Sequence, residues 1–255
     1  MTKQIELTIK EKHKLILEIM KDIDRFCRSN NIRYTLSSGT LLGAVRHAGF
    51  IPWDDDADIF MLREDFDRFV HAYKSDRYKL VYNFNSSNLQ LPSGIAKIGD
   101  TTTYSKDSTG RLDFGVWVDV FPLEAVPEDP KECHSFMHKI MRINNRMYHR
   151  RHKDLISILK SYYHTLAEWN NKLDRLVHSN PYTDSPLVAH AVGSNNYRTV
   201  IPKKWFDNLG DISFEGHQFM AFKDNDSYLK IVYGDDYMTP KQWSHGTKIY
   251  RKEDE

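Results

Sequence analysis

Four aspartates fall within five positions, Asp54, Asp55, Asp56 and Asp58, and the chain runs straight on into Ile59, Phe60 and Met61. Carboxylates packed this closely repel one another and cost stability unless a cation or several donors offset them. Side chains alternate along a strand, so Asp56 and Asp58 share one side and Asp55 points to the other. Asp54 shares their parity but lies nearest the preceding loop. Aligned carboxylates joined by a third suit Mg2+, a hard cation that takes oxygen ligands and keeps waters for phosphate oxygens. Such an ion clamps a displacement at phosphorus, which makes phosphoryl transfer the expected chemistry. The competing calcium-loop reading lacks the required DxDxDG spacing. The third acid is Asp119, between Val118 and Val120. A carboxylate there is costly to bury unless it ligates a metal or is paired in a structural salt bridge. Asp56, Asp58 and Asp119 are therefore the catalytic and metal-binding candidates, with Asp119 also the candidate general base.

Phosphate-binding candidates lie on either side. Ser38, Gly39 and Thr40 belong to a small-residue turn before a helix, where backbone N–H groups can approach a phosphate. Arg46 offers bidentate contacts to a leaving nucleotide, and Lys97, in the strand-like run AKIGD, can point at the same phosphates. His47 is as readily structural as chemical. Tyr233, Gly234, Asp235, Asp236 and Tyr237 can wall an acceptor site, although Gly234 also reads as a plain helix stop.

The elements that must position these groups follow from periodicity. A helix is expected over 8–30 from Leu15, Ile16, Ile19, Ile23, Phe26 and Cys27, then a short strand over 32–36. Thr40 is expected to cap a helix over 41–46. An alternating strand carries the acids, and a helix follows over 65–73. Strands are expected over 79–84, 94–99 and 116–121, helices over 131–151 and 154–178, a linker or active-site loop over 180–186, a hairpin over 212–222 and a helix over 227–233. The order indicates an α/β or α+β protein with a mostly helical middle.

Composition narrows the partners. The 255 residues carry 36 basic and 35 acidic side chains, a formal charge of +1, so no bulk field argues for nucleic acid. Cys27 and Cys133 form no CxxC pair, which argues against a zinc ribbon or disulfide framework and fits a reducing compartment. No run is apolar enough to span a membrane and the N-terminus has no signal-like apolar core. The expected location is cytoplasmic, free or peripheral at the inner face of a membrane.

The stretches GTLLGAVRH (39–47) and GFIPWDDD (49–56) resemble the signature of the LicD-type phosphotransferases, a family that includes the fukutin-related enzymes. VDVFPL (118–123) resembles that family's second block, and Phe214, Glu215 and Gly216 with Tyr228, Leu229, Tyr233, Gly234 and Asp235 its third. Phe222 and Gly246 depart from it, each standing where proline is frequent. The resemblance implies an α+β, nucleotidyltransferase-like fold of polymerase-β type, a mixed sheet with flanking helices. It divides into a core over 1–125 and a segment over 126–255 that completes the donor and acceptor site, either apart or as one integrated domain. It further implies Mg2+ and transfer of an alcohol phosphate from a CDP-activated donor, commonly CDP-choline. The acceptor would be a glycan or lipid-linked glycan of teichoic acid, lipopolysaccharide or capsule, and CMP would leave. The alternatives are a nucleotidyltransferase that consumes an NTP and releases pyrophosphate, and a catalytically silent nucleotide-binding protein.

Overall fold

A computed structural model describes residues 6–82, 94–105, 115–152, 166–191, 199–241 and 248–251. Helix α1 (Ile9–Ser29) begins in a capping box: the Thr8 hydroxyl accepts from the Glu11 N–H while the Glu11 carboxylate accepts from the Thr8 N–H. Its apolar stripe, Ile16, Ile19, Met20, Ile23 and Cys27, is buried, and burial of such side chains contributes about 1.5–3 kcal/mol each.

Strand β1 (Thr35–Leu36) is shorter than the periodicity suggests, because residues 32–34 pack without ladder pairing. Then come α2 (Ser38–His47), β2 (Asp58–Leu62), α3 (Arg63–Ala72), β3 (Tyr78–Tyr82), β4 (Ala96–Asp100), β5 (Thr103–Ser105) and β6 (Val116–Ala125). Helices α4 (Pro130–His152) and α5 (Leu166–His178) precede β7 (Leu187–Ala189) and β8 (Val200–Pro202). A 3-10 turn (Lys203–Asn208), the hairpin β9 (Leu209–Phe214) and β10 (His217–Phe222), α6 (Asn225–Tyr233) and β11 (Ile249–Arg251) close the chain. Parts of the expected strand over 79–84 and helix over 154–178 lie outside the described residues.

The main sheet has the order β1-β2-β6-β4-β3, and β7 and β8 extend it from the far end of β6. It is mixed: β2 and β6 are parallel and the other pairs antiparallel. The protein is thus α+β. Residues 180–186 are a structured turn, not a linker. The buried Asn180 amide donates to the Ala125 carbonyl at 2.7 Å and its oxygen accepts from the Tyr182 N–H, which brings the chain back onto β6.

Strand parity divides the two sheet faces. Ile98, Val118 and Val120 lie on the face packed by α1 and α3 in one hydrophobic cluster. Val81, Ile95, Trp117 and Phe121 lie on the other, where α4 and α5 contribute Phe136, Ile140, Trp169 and Leu173 to a second cluster. That second face carries Asp58, Lys97 and Asp119.

Candidate active site

The centre of the site is one row across three strands. In the sheet register Asp58 on β2 is the partner of Asp119 on β6, and Asp119 is the partner of Lys97 on β4. Register partners point to the same side, so three residues separated by up to 61 positions in the chain stand abreast. Lys97 Nζ donates to Asp119 Oδ1 at 2.5 Å and the Trp117 indole N–H donates to Oδ2 at 2.9 Å. The ammonium also sits 4.3 Å from the centre of the Trp117 ring, a cation–π contact that holds it between ring and carboxylate. Asp119 itself is buried. Its backbone N–H donates to the Ala57 carbonyl, which locks the end of β2 against β6.

Helix α2 fixes the acids from the other side. It starts at Ser38, so Thr40 is not the cap expected from sequence. The Thr40 hydroxyl is used elsewhere, accepting the Asp58 N–H at 2.8 Å and tying the helix to the first residue of the acid strand. Ser38 holds φ at +46°, a left-handed conformation that costs a non-glycine residue about 1 kcal/mol or more. Its N–H turns instead to the buried Tyr228 hydroxyl on α6, at 3.1 Å. Gly39 leaves room for an acid: a Cβ there would lie 2.5 Å from Asp54 Oδ2 and displace that carboxylate. The Asp54 carboxylate therefore rests against the first turn of α2, where free N–H groups favour negative charge.

Behind the acidic loop, α1 supplies two restraints that the sequence reading missed. Lys12 and Asp55 form an ion pair at 2.9 Å with side chains only 9% and 8% exposed, which accounts for the acid that parity sends away from the row. The His13 Nε2–H donates to the Asp54 carbonyl at 2.6 Å while its ring stacks on Phe50 at 4.1 Å. Only the 41- and 43-residue separations hid these pairs; Lys12 and His13 stand on the expected helix. Glu215, at the tip of the β9–β10 hairpin, accepts the Phe50 N–H and pins the same loop from the opposite side.

The electrostatics follow from this crowding. Burial, and then the charge of Asp54, pushes the Asp56 carboxyl up to about 7. Burial and the charges of Asp56 and Asp119 push Asp58 well above the carboxylate range, with Lys97 opposing them. Burial also raises Asp54. A donor set of carboxylate oxygens under mutual repulsion fits a hard divalent cation by its chemistry. Among the described residues, no three His, Cys, Asp or Glu side chains are already spaced to hold one.

Arg46 stands apart from the row. It lies in the last turn of α2, about 10 Å along the helix axis from Gly39, and donates to the Tyr237 carbonyl at 3.1 Å. With Leu42, Tyr233, Tyr237, Thr239 and Lys241 it lines a small pocket. Tyr233 lines the Arg46 pocket, and burial first, then the charges of Tyr228, Asp58, Asp54 and Asp56, raise its hydroxyl pKa. His47 is exposed, with its ring edge toward Trp53. His190, another residue missed from sequence, lies against Phe60 and Phe121 at 5.2 and 4.6 Å, one step along the same sheet face from Asp58 and Asp119. No local spacing announces it.

Comparison with known proteins finds relatives over the same residues. Residues 31–151, which contain the whole acidic row, match the family described as LicD/FKTN/FKRP, nucleotidyltransferase domain. Over 251 residues the chain is 29% identical to the lipopolysaccharide cholinephosphotransferase LicD of Haemophilus influenzae, covering 93% of this chain and 94% of that protein. Shorter stretches are 46% identical over 79 residues to an uncharacterized protein of Rickettsia typhi and 54% identical over 50 residues to one of Rickettsia prowazekii. These cover 26% and 19% of the two rickettsial proteins. The acidic row and the turn that holds it fall inside the match over 31–151, so the chain carries a domain of the LicD/FKTN/FKRP type.

Proposed function

We propose that this LicD-family transferase moves phosphocholine, or a similar alcohol phosphate, from a CDP-activated donor to a hydroxyl of a cell-envelope glycan, with release of CMP. The fold on this reading is nucleotidyltransferase-like. The observation that carries the reading is the in-register row Asp58, Asp119 and Lys97, with Asp56 and Asp54 beside it, in a chain similar over nearly its whole length to a cholinephosphotransferase.

The acceptor oxygen attacks the phosphorus that bears the choline group, the new P–O bond forms as the bond to CMP breaks, and the hydroxyl proton passes to a carboxylate. Asp119 is the choice from sequence for that proton. Both its oxygens already accept hydrogen bonds, which favours its neighbour Asp56. Mg2+, held by Asp56, Asp58 and Asp119, would neutralise phosphate charge. Lys97 supplies a fixed positive charge to the donor phosphates, and the first turn of α2, Ser38 to Thr40, contributes its N-terminal dipole. Arg46 and its tyrosine-lined pocket would receive the part of a substrate that extends past Tyr233. Catalysis of this type is mainly positioning and electrostatics.

Incubation of the purified protein with CDP-choline, Mg2+ and an envelope glycan should release CMP only when acceptor is present. Asp58→Asn should lower kcat by roughly a thousandfold. Pyrophosphate released from CTP, with no CMP from any CDP-alcohol, would transfer the chain to the nucleotidyltransferase reading. Unchanged turnover in Asp58→Asn would remove the row from the chemistry.

A further inference from the structure

We propose that the outer surface of the α4–α5 pair docks on an anionic phospholipid surface. The two helices line a groove of about 880 Å3 in which four basic side chains, Lys139, Arg142, Lys172 and Arg175, outnumber the one acid, Glu168, around the apolar Ile143 and Trp169. All four basic side chains are exposed, and among the described residues none of them is paired with a carboxylate. Lys172 also lies over the Trp169 ring at 5.2 Å, which fixes one charge at the groove wall.

The charge is concentrated here, since the chain as a whole is balanced at +1. Residues 133–153, between Glu132 and Asp154, contain six Lys or Arg and no Asp or Glu, and Lys139 and Arg142, both exposed, stand one turn apart on α4. The adjoining stripe of α4, Cys133, Phe136, Met137, Ile140 and Ile143, is buried in the cluster shared with α5 and the sheet. A basic amphipathic helix whose apolar side is already used inside the fold keeps its charge for a surface. Each Lys or Arg held near an anionic leaflet contributes by attraction that salt weakens. Single-stranded nucleic acid fits less well, because it needs aromatic faces for stacking and Trp169 is only 6% exposed.

The same helices cover Trp117, the hydrogen-bond partner of Asp119, on their inner side. Docking by the outer side would therefore hold the acidic row beside the membrane, where a lipid-linked acceptor resides. The docking itself does not depend on the donor chemistry, since binding is read without donor or acceptor.

Sedimentation with phosphatidylcholine vesicles containing roughly one third phosphatidylglycerol should carry the protein down at about 0.1 M salt and release it at about 0.5 M. Vesicles of phosphatidylcholine alone should leave it in solution. Lys139→Glu with Arg142→Glu should weaken the binding at least tenfold. Lys172→Gln with Arg175→Gln, milder changes at exposed sites, should weaken it several-fold and serves if the first variant does not fold. Both variants should keep CMP release with a soluble acceptor. Equal binding to neutral vesicles, or undiminished binding by folded variants, would overturn the proposal. Tighter binding of poly(U) RNA than of anionic vesicles, lost in the same variants, would also overturn it and assign the groove to nucleic acid.

Discussion

Gly39 and Asp54 show how little room the site leaves. The missing side chain at Gly39 is occupied by the Asp54 carboxylate. Alanine is the better helix former by about 1 kcal/mol, so Gly39→Ala should leave stability within roughly 1 kcal/mol of wild type while displacing Asp54. Turnover should fall at least tenfold with the urea midpoint nearly unchanged; a parallel loss of both would mean that the methyl group disturbs the fold and not the acid alone. His13 gives a prediction in pH. Burial lowers its pKa from the ordinary value, so the unfolded chain binds the proton more tightly than the folded one. Stability attributable to the neutral ring is complete above the unfolded value near 6.5 and is lost as pH falls through the lower folded value. His13→Phe preserves stacking on Phe50 and removes the titration. Its stability relative to wild type should therefore rise as pH is lowered from about 7 to about 5. Parallel stability curves for the two proteins would show that His13 does not titrate with folding.

At the scale of elements, the acidic loop is held from three directions: by α1 through Lys12 and His13, by α2 through Thr40 and the Gly39 turn, and by the β9–β10 hairpin through Glu215. The buried Lys12–Asp55 pair is the strongest of these by burial. Lys12→Met strips the carboxylate of its lysine in a poorly solvated place and should cost roughly 3 kcal/mol, measured by urea unfolding. The paired change Lys12→Met with Asp55→Leu should recover part of the loss, because the cost lies chiefly in leaving a charge behind. If the single change costs less than about 1 kcal/mol, solvent reaches the pair and α1 does not set the loop.

For the whole molecule, β6 is the common element. Val116, Val118 and Val120 belong to the cluster under α1 and α3, while Trp117 and Phe121 pack against the α4–α5 cluster. Glu124, 1% exposed, binds Arg63 at the start of α3 through two guanidinium nitrogens. A strand shared by both clusters predicts one cooperative calorimetric transition, and Arg63→Met, which deprives buried Glu124 of that cation, should lower its midpoint by several degrees. Two separated transitions would mean that the α4–α5 cluster unfolds independently of the sheet.

Local rules determined much of this protein. The 3.6-residue period located α1, α3 and α4 within a residue or two, because one stripe of each must be buried. The two-residue period sorted Asp58 from Asp55, and a lone acid in an apolar run marked Asp119 as a residue that needs a partner. The starting point of α2 was misplaced by three residues, since nothing local shows that the Thr40 hydroxyl is bound to the Asp58 N–H. Only tertiary structure decided what stands beside each acid. Lys97 meets Asp119 through the register of β4 on β6, Tyr228 meets Ser38 through the docking of α6, and Lys12 meets Asp55 through the seating of α1. Periodicity is a property of neighbouring residues and can be read along the chain. Register and helix docking are chosen by the whole core at once, so the acids were legible from sequence and the partners that set their chemistry were not.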